Sequence, residues 1–326
     1  MENLNYGDYV EKMDMWGEQR KPYIFIVDFE MKNPIVLPLN KAAENGIYYK
    51  FDNFNNVDFK TIKKDKFIFR KSPVSYPVFK NSFDKVLKEI KLGNSFLTNL
   101  TFPTGLETDL TLQDIFYWSE APYKLLVKDL FVVFSPELFI TTRESYISSY
   151  PMKGTINASI PDAEAMVLND IKETAEHHTI VDMIRNDLSQ VATDVIVERF
   201  RFLSRVRTHD NTLLQVSSKV TGRLPSDCSR HFGDIISRLL PAGSICGAPK
   251  KKTLEIISKS EIYTRGYYTG VFGIFDGENL QSAVMIRFIE KQDKQYIFKS
   301  GGGITSYSDP VKEYQELIDK VYVPVY

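Results

Sequence analysis

The segment KETAEHHTIVDMIRNDLS, residues 172–189, decides how the rest of the chain is read. Across Asp170–Leu188 the apolar residues Ile171, Ala175, Ile180, Val181, Ile184 and Leu188 recur at helical spacing, which predicts a helix. Glu173 and Glu176 stand three apart and share one of its faces. SDPVKEYQELIDK, residues 308–320, repeats the device. Pro310 suits a first helical turn, and Glu313 and Glu316 are again three apart. Two such helices meeting would gather four carboxylates at one spot. A hard divalent cation such as Mg²⁺ takes oxygen ligands of this kind, together with water and substrate oxygens. Charged pairs at this spacing also decorate plainly solvated helix faces, so spacing alone leaves both readings open.

Working outward, short runs of branched and aromatic residues bounded by polar loops predict strands at Tyr23–Phe29 and Phe67–Arg70. Tyr49–Lys60 reads as a loop or an edge. Ser82–Leu92 has helical spacing and stops at Gly93-Asn94. Strands follow at Phe96–Thr101, at two short segments within Phe131–Thr141, and at Tyr146–Met152, which ends in Lys153-Gly154-Thr155. Val195–Val206 and Leu213–Val220 read as strands, and His231–Leu240 and Lys250–Ser260 as helices. Gly270–Phe275, Gln281–Glu290 and Gln295–Lys299 look like a meander. Gly301-Gly302-Gly303 is expected as a loop, before a last helix at Asp309–Val321. No repeat, low-complexity tract or linker divides the chain, which predicts one large mixed α+β domain.

The chain has 326 residues, 43% of them hydrophobic and 25% charged, which excludes a disordered or collagen-like protein. With 41 basic and 42 acidic side chains it lacks the basic excess of a nucleic-acid binder. Two cysteines, Cys228 and Cys246, do not make a disulfide scaffold and favour a reducing compartment. No apolar leader or membrane-length apolar run occurs, so a soluble cytoplasmic protein is expected.

Several residues could carry chemistry. GSICGAPK, residues 243–250, lacks the spacing of a nucleotide-binding phosphate loop, with three residues between its glycines. It could still hold an anion on backbone N–H groups, or simply open a helix. The three glycines 301–303 allow close approach of a ligand or a tight turn. Lys153, taken alone, reads as a solvated lysine. Asp182, Arg185, Asn186 and Asp187 read as a structural ion-pair and capping cluster. Arg287, within an apolar stretch, calls for a carboxylate partner from protein or ligand.

Taken in order, SPELF (135–139), PMKGT (151–155), the 172–189 segment, GSICGAPK (243–250), RGYYTGVFG (265–273), IRF (286–288), SGGGI (300–304) and the 308–320 segment resemble the chorismate-utilising enzymes. That family includes the first components of anthranilate and aminodeoxychorismate synthases and the isochorismate and salicylate synthases. The resemblance implies a single domain of two antiparallel sheets flanked by helices. Residues 85–326 would form the chorismate-binding catalytic region, and 1–84 a shortened N-terminal portion of the same domain. It implies a Mg²⁺ held by Glu176 and Glu316, with Glu173 and Glu313 supporting. It places Thr155, Gly247, Tyr268, Arg287, Gly302, Gly303 and Lys320 on the substrate.

Within the family, PMKGT is similar to the PIKGT motif of aminodeoxychorismate synthases, where anthranilate synthases have Ala for Lys. The likeness implies that Lys153 adds to chorismate C2 and expels the 4-hydroxyl, after which ammonia adds at C4. The product would be 4-amino-4-deoxychorismate, the precursor of p-aminobenzoate and folate. Such an amine must be neutral near pH 7, which burial or neighbouring cations would achieve. The water-activating lysine of isochorismate and salicylate synthases has no counterpart in Phe96–Thr101. Cys246 stands where the family has Thr, and Leu214 where it has a His that helps the hydroxyl leave, with His209 offset from that position. No tryptophan-binding elements and no amidotransferase segment are recognisable, so ammonia is expected from a separate glutamine amidotransferase subunit. The alternatives are an anthranilate or isochorismate synthase, or a weakly active chorismate-binding partner protein.

Overall fold

Tyr23–Val27 is apolar at every position, and all five side chains are buried. A strand needs that pattern when both faces of its sheet are covered. Tyr23, Phe25 and Val27 face one core, shared with the helices outside the sheet, whereas Ile24 and Ile26 face a second core. A computed structural model describes residues 6–51, 54–58, 66–207 and 212–324 of the chain. Among these, two nine-stranded sheets pack face to face and helices cover both outer surfaces.

The first sheet runs Met152–Asn157, Thr212–Arg223, Tyr146–Ser149, Leu138–Arg143, Leu280–Val284, Val271–Phe275, Tyr23–Val27, Ile35–Pro38, with Thr193–Arg207 along the other side of Thr212–Arg223. The second runs Gly247–Ala248, Leu97–Thr108, Gln295–Ile304, Phe288–Gln292, Phe131–Ser135, Tyr123–Val127, Ile47–Phe51, Phe54–Asn55, with Phe69–Pro73 beside Leu97–Thr108. Every ladder among the described residues is antiparallel. This is the mixed α+β domain of two antiparallel sheets expected above. Residues before Lys85 supply strands to both sheets. No helix among the described residues is long and apolar enough to cross a membrane.

Three expectations are corrected. Gln281–Glu290 is two strands, because the chain crosses between the sheets: Leu280–Val284 ends in the first and Phe288–Gln292 begins in the second. Arg287 sits at that crossing with φ +54°. Gly301–Gly303 is not a loop but the end of the strand Gln295–Ile304, paired with Asn99–Thr101. Lys153-Gly154-Thr155 does not end a strand; Pro151 breaks the run and Met152–Asn157 pairs anew with Thr212–Arg223. An element the sequence reading did not assign precedes these strands: the helix Tyr6–Glu18, whose Tyr9, Met13 and Trp16 enter the core at helical spacing. Parts of Tyr49–Lys60, and His209, lie outside the described residues.

One buried ion pair braces the sheets. Arg265 is 1% exposed, and all its N–H groups find acceptors. Nε and Nη2 donate to the two oxygens of Glu261 at 2.9 and 2.7 Å. Nη2 also donates to the Asn99 carbonyl at 2.7 Å, and Nη1 to the Ile245 carbonyl at 2.9 Å and to Thr269. Removing one partner of such a pair strands a buried charge, at a cost of about 3–5 kcal/mol. Arg265→Met should lose stability on that scale in urea unfolding; a loss below about 1 kcal/mol would show that Glu261 finds other compensation.

Candidate functional site

The two acidic helices, Ile171–Leu188 and Pro310–Asp319, converge on a cavity of about 400 Å³ between the sheets, within the usual size of a small-molecule site. Each helix starts at an aspartate cap: Asp170 accepts from the Glu173 N–H, and Asp309 from Val311 and Lys312. Those caps set where the first turns begin, and therefore which face carries the glutamates.

Lys153 reaches the cavity by a backbone device. The ladder between Met152–Asn157 and Thr212–Arg223 shifts register between Met152 and Thr155. Gly154 takes φ +83° there, a conformation that favours glycine. The extra residue turns the Lys153 side chain inward, where Nζ lies 3.1 Å from Glu176 Oε2. Across the cavity Lys320 Nζ lies 2.6 Å from Glu316 Oε1 and donates to the Gly301 carbonyl at 2.9 Å. The glycine strand faces this cluster: a Cβ on Gly302 would stand in ordinary contact, 3.5 Å from oxygens of both Glu313 and Glu316 and 3.7 Å from Lys320 Nζ.

Thus Lys153, Glu173, Tyr268, Arg287, Gly302, Gly303, Glu316 and Lys320 line one cavity. Glu176 and Glu313 are buried at its edge. The backbone of Thr155 lies in the neighbouring strand. Gly247 is not brought to the cavity. It pairs with Thr98, and a Cβ there would collide with the Leu97 carbonyl at 1.8 Å, so its glycine serves backbone packing. Leu214 is also turned away, 2% exposed in the core, whereas Gln215 lines the cavity. Neighbouring residues of a strand face opposite sides, so Leu214, at the position where the family has a His, presents no polar group to the cavity. Cys246 is fully buried, and burial pushes its thiol up to about 12. The cluster at the end of the first acidic helix divides: Arg185 pairs with Asp182 on the surface, while Asp187 pairs with Lys250 at 2.8 Å and pins the 243–250 loop.

Arg287 has no carboxylate at ion-pair distance among the described residues. Its guanidinium lies 5.3 Å from the Tyr322 ring, and Nε donates weakly to the Tyr322 hydroxyl at 3.4 Å. That leaves it suited to an anionic ligand. Glu137 was missed as a site residue, although it lies in the SPELF motif. It lines the cavity and accepts a hydrogen bond from Ser244. Burial pushes its carboxyl above the usual range, against the pull of Ser244, Lys153 and Arg287.

The lysines diverge. Burial favours the neutral form of Lys153, but the charges of Glu176, Glu173 and Glu316 outweigh it and hold the ammonium above its usual pKa. The expectation of a depressed Lys153 is therefore corrected for this arrangement. Lys320 moves the other way: burial, aided by Lys153 and Arg287, outweighs its contact with Glu316.

The donor set fits a hard cation, four carboxylates and no sulfur or imidazole. As placed, no three such groups among the described residues are close enough to hold one, and the lysine ammonium groups supply the compensating charge.

The chain belongs to the family of chorismate binding enzymes, which it matches over residues 43–325. It is 49% identical to an uncharacterized PabA-like protein of Pasteurella multocida, covering 97% of this chain and 98% of that one. An anthranilate synthase component 1 of Haloarcula marismortui is 34% identical, and a 2-amino-4-deoxychorismate synthase of Streptomyces globisporus 29%. Those alignments cover 74% and 75% of this chain, and 51% of each relative. The fold is similar to the menaquinone-specific isochorismate synthase of Escherichia coli, with a TM-score of 0.77, 16% identity, and coverage of 98% and 82%.

His177, beside Glu176, carries a pH signature. Burial, with help from Arg201, His178 and Lys153, lowers it to about 4 from an ordinary value of 6.5. The unfolded chain therefore binds this proton first as pH falls, so stability drops between about 6.5 and 4 and is flat, for this group, outside that window. The full effect is on the order of 3 kcal/mol. In His177→Gln the stability difference between pH 7 and pH 4.5 should shrink by about 2 kcal/mol. An unchanged difference would mean that the imidazole titrates normally in the fold.

Proposed function

We propose that the chain aminates chorismate with ammonia to 4-amino-4-deoxychorismate, in a Mg²⁺-dependent reaction through a covalent bond to Lys153. The observation that carries this is a primary amine aimed by a β-bulge into a carboxylate-lined cavity that also presents Arg287 and Tyr268. A dianionic substrate suits that cavity, with Arg287 as counter-charge for one carboxylate. A divalent cation held by Glu176 and Glu316, with Glu173 and Glu313 behind them, would take up the charge that now keeps Lys153 protonated and bind the other carboxylate.

The neutral amine adds at C2, the ring electrons shift, and the C4–O bond breaks. Glu137, whose carboxyl is raised by burial, gives the departing oxygen its proton, so water leaves. The alkylammonium formed at Lys153 returns a proton to Glu137. Ammonia then adds at C4, the electrons shift back, the C2–N bond breaks, and the surplus proton of the new ammonium passes to the departing amine. Ammonia comes from a separate glutamine amidotransferase, and the product leads to p-aminobenzoate and folate. Leu214, at the family's His position, has no titratable proton, so the acid must be sought elsewhere in the cavity, and Glu137 meets that need.

A second reading, amination at C2, is favoured by the Streptomyces globisporus relative, whose name carries the amino group at position 2. Incubation with chorismate, Mg²⁺ and an ammonium salt, followed by chromatography and mass spectrometry, distinguishes the two. 4-Amino-4-deoxychorismate is expected. Anthranilate or a 2-amino product would replace the first reading by the second, and unchanged chorismate would overturn both.

Lys153→Ala should lower amination by about 100-fold or more, as expected for loss of a covalent nucleophile, while chorismate binding persists. Full activity in that variant removes Lys153 from the mechanism. Glu176→Gln and Glu316→Gln should each raise the Mg²⁺ concentration for half-maximal rate by about tenfold. A wild-type titration curve in either would refute its assignment as a ligand.

A further inference from the structure

The first acidic helix is anchored unequally. Its C-terminal half buries Ile180, Val181, Ile184 and Leu188 in the core. Its N-terminal half, which carries Glu173 and Glu176, has little apolar anchoring. Ile171 is 86% exposed, and Ala175 and His178 also face solvent. His177 is the inward exception at 1% exposure.

Its imidazole meets a prepared partner. Nε2 lies 2.7 Å from Ser218 Oγ, on a fully buried serine of the strand Thr212–Arg223. The same Oγ accepts from the Arg201 backbone N–H at 2.9 Å. That N–H points inward because the strand Thr193–Arg207 shifts register between Arg199 and Phe202, with Arg201 at φ +46°. The shift also seats Phe200 edge-on against His177, ring centroids 5.8 Å apart. With one lone pair of its oxygen taken by Arg201, the serine hydroxyl can still either donate to Nε2 or accept from its N–H, according to the imidazole tautomer. Nδ1 has no hydrogen-bond partner among the described residues. The ring therefore acts on its surroundings through Nε2.

We infer that His177 is a positioning residue: its bond to Ser218, backed by the bulge at Arg201, holds the N-terminal turns of the helix in register so that Glu176 faces Lys153. A strained bulge in one strand and a buried hydroxyl in the next would have little purpose if the helix were anchored by apolar packing alone. The metal arm of the test rests on the Mg²⁺ reading above, and the structural arm does not.

The experiment compares full-length wild type with His177→Ala, Ser218→Ala, the double variant, His177→Gln and His177→Asn. Mg²⁺ affinity is read by calorimetry and the Lys153–Glu176 contact by crystal structures. The two alanine variants should each weaken Mg²⁺ binding by about tenfold, and the double variant should do no worse than either, because both remove one shared bond. Gln, which can place an amide donor or acceptor near the position of Nε2, should restore binding to within about threefold; Asn, which reaches only as far as Nδ1, should not. The Lys153–Glu176 contact should be lost in His177→Ala and kept in His177→Gln. Wild-type Mg²⁺ affinity in folded alanine variants, or equal behaviour of Gln and Asn, would overturn the inference. If wild type binds no Mg²⁺, the metal reading falls alone and the crystal structures decide: an undisturbed Lys153–Glu176 contact in His177→Ala overturns the positioning role, and its loss with rescue by Gln upholds it. Should His177→Ala fail to fold, Ser218→Ala, which removes only an oxygen, decides by the same criteria.

Discussion

The Arg265–Glu261 pair is the constraint around which the cavity is built. The five N–H groups of one guanidinium reach a carboxylate, a strand carbonyl at Asn99, a loop carbonyl at Ile245 and the Thr269 hydroxyl. Glu261 in turn accepts from the Thr101 N–H and hydroxyl, so its oxygens are also satisfied. The second sheet, the 243–250 loop and the turn that leads into the first sheet thereby meet at one charged centre. A planar donor with fixed geometry can join three chain segments in this way, whereas a flexible lysine could not hold all of them at once. Asn99, Ile245 and Tyr268 all line the cavity, so a brace that is itself remote from substrate governs its walls.

Inside the cavity, charge balance does the positioning. Carboxylates gathered in a partly buried cavity must be compensated, and here Lys153 and Lys320 supply the compensation. The two ammonium groups experience different surroundings. Lys153 faces three carboxylates and is held protonated, while Lys320 is destabilised by burial and by neighbouring cations. An added cation would compete with the lysines for the same oxygens. Metal occupancy and amine protonation are therefore linked by electrostatics alone, whichever reaction the cavity performs.

Much of this was legible in the amino-acid order. The helical spacing of Ile180, Val181, Ile184 and Leu188 and the paired glutamates of both helices are local patterns, and local patterns survive without coordinates. The strands around the SPELF motif and the strand segment Gln295–Lys299 that leads to the glycines were likewise visible. What escaped detection depended on pairing. Gly301–Gly303 looks like a loop by composition, yet it is a strand paired residue for residue with Asn99–Thr101, where a Cβ on Gly301 would stand 2.3 Å from the Leu100 carbonyl oxygen. The break at Arg287 is invisible in an unbroken apolar run, since only the presence of two sheets forces the chain to cross there. Gln215 and Leu214 differ by one position, and only the observed register shows which one faces the cavity.

The sequence by itself determined the mixed α+β class, both acidic helices and the family, because periodicity, capping residues and ordered motifs are properties of neighbouring residues. The tertiary structure decided that Lys153 enters the cavity through a bulge, that Gly247 and Leu214 stay out of it, and that Glu137 and Gln215 enter. It also decided the direction in which each lysine is shifted. Those outcomes depend on through-space charge and on strand register, which join residues far apart in the chain and have no local signature.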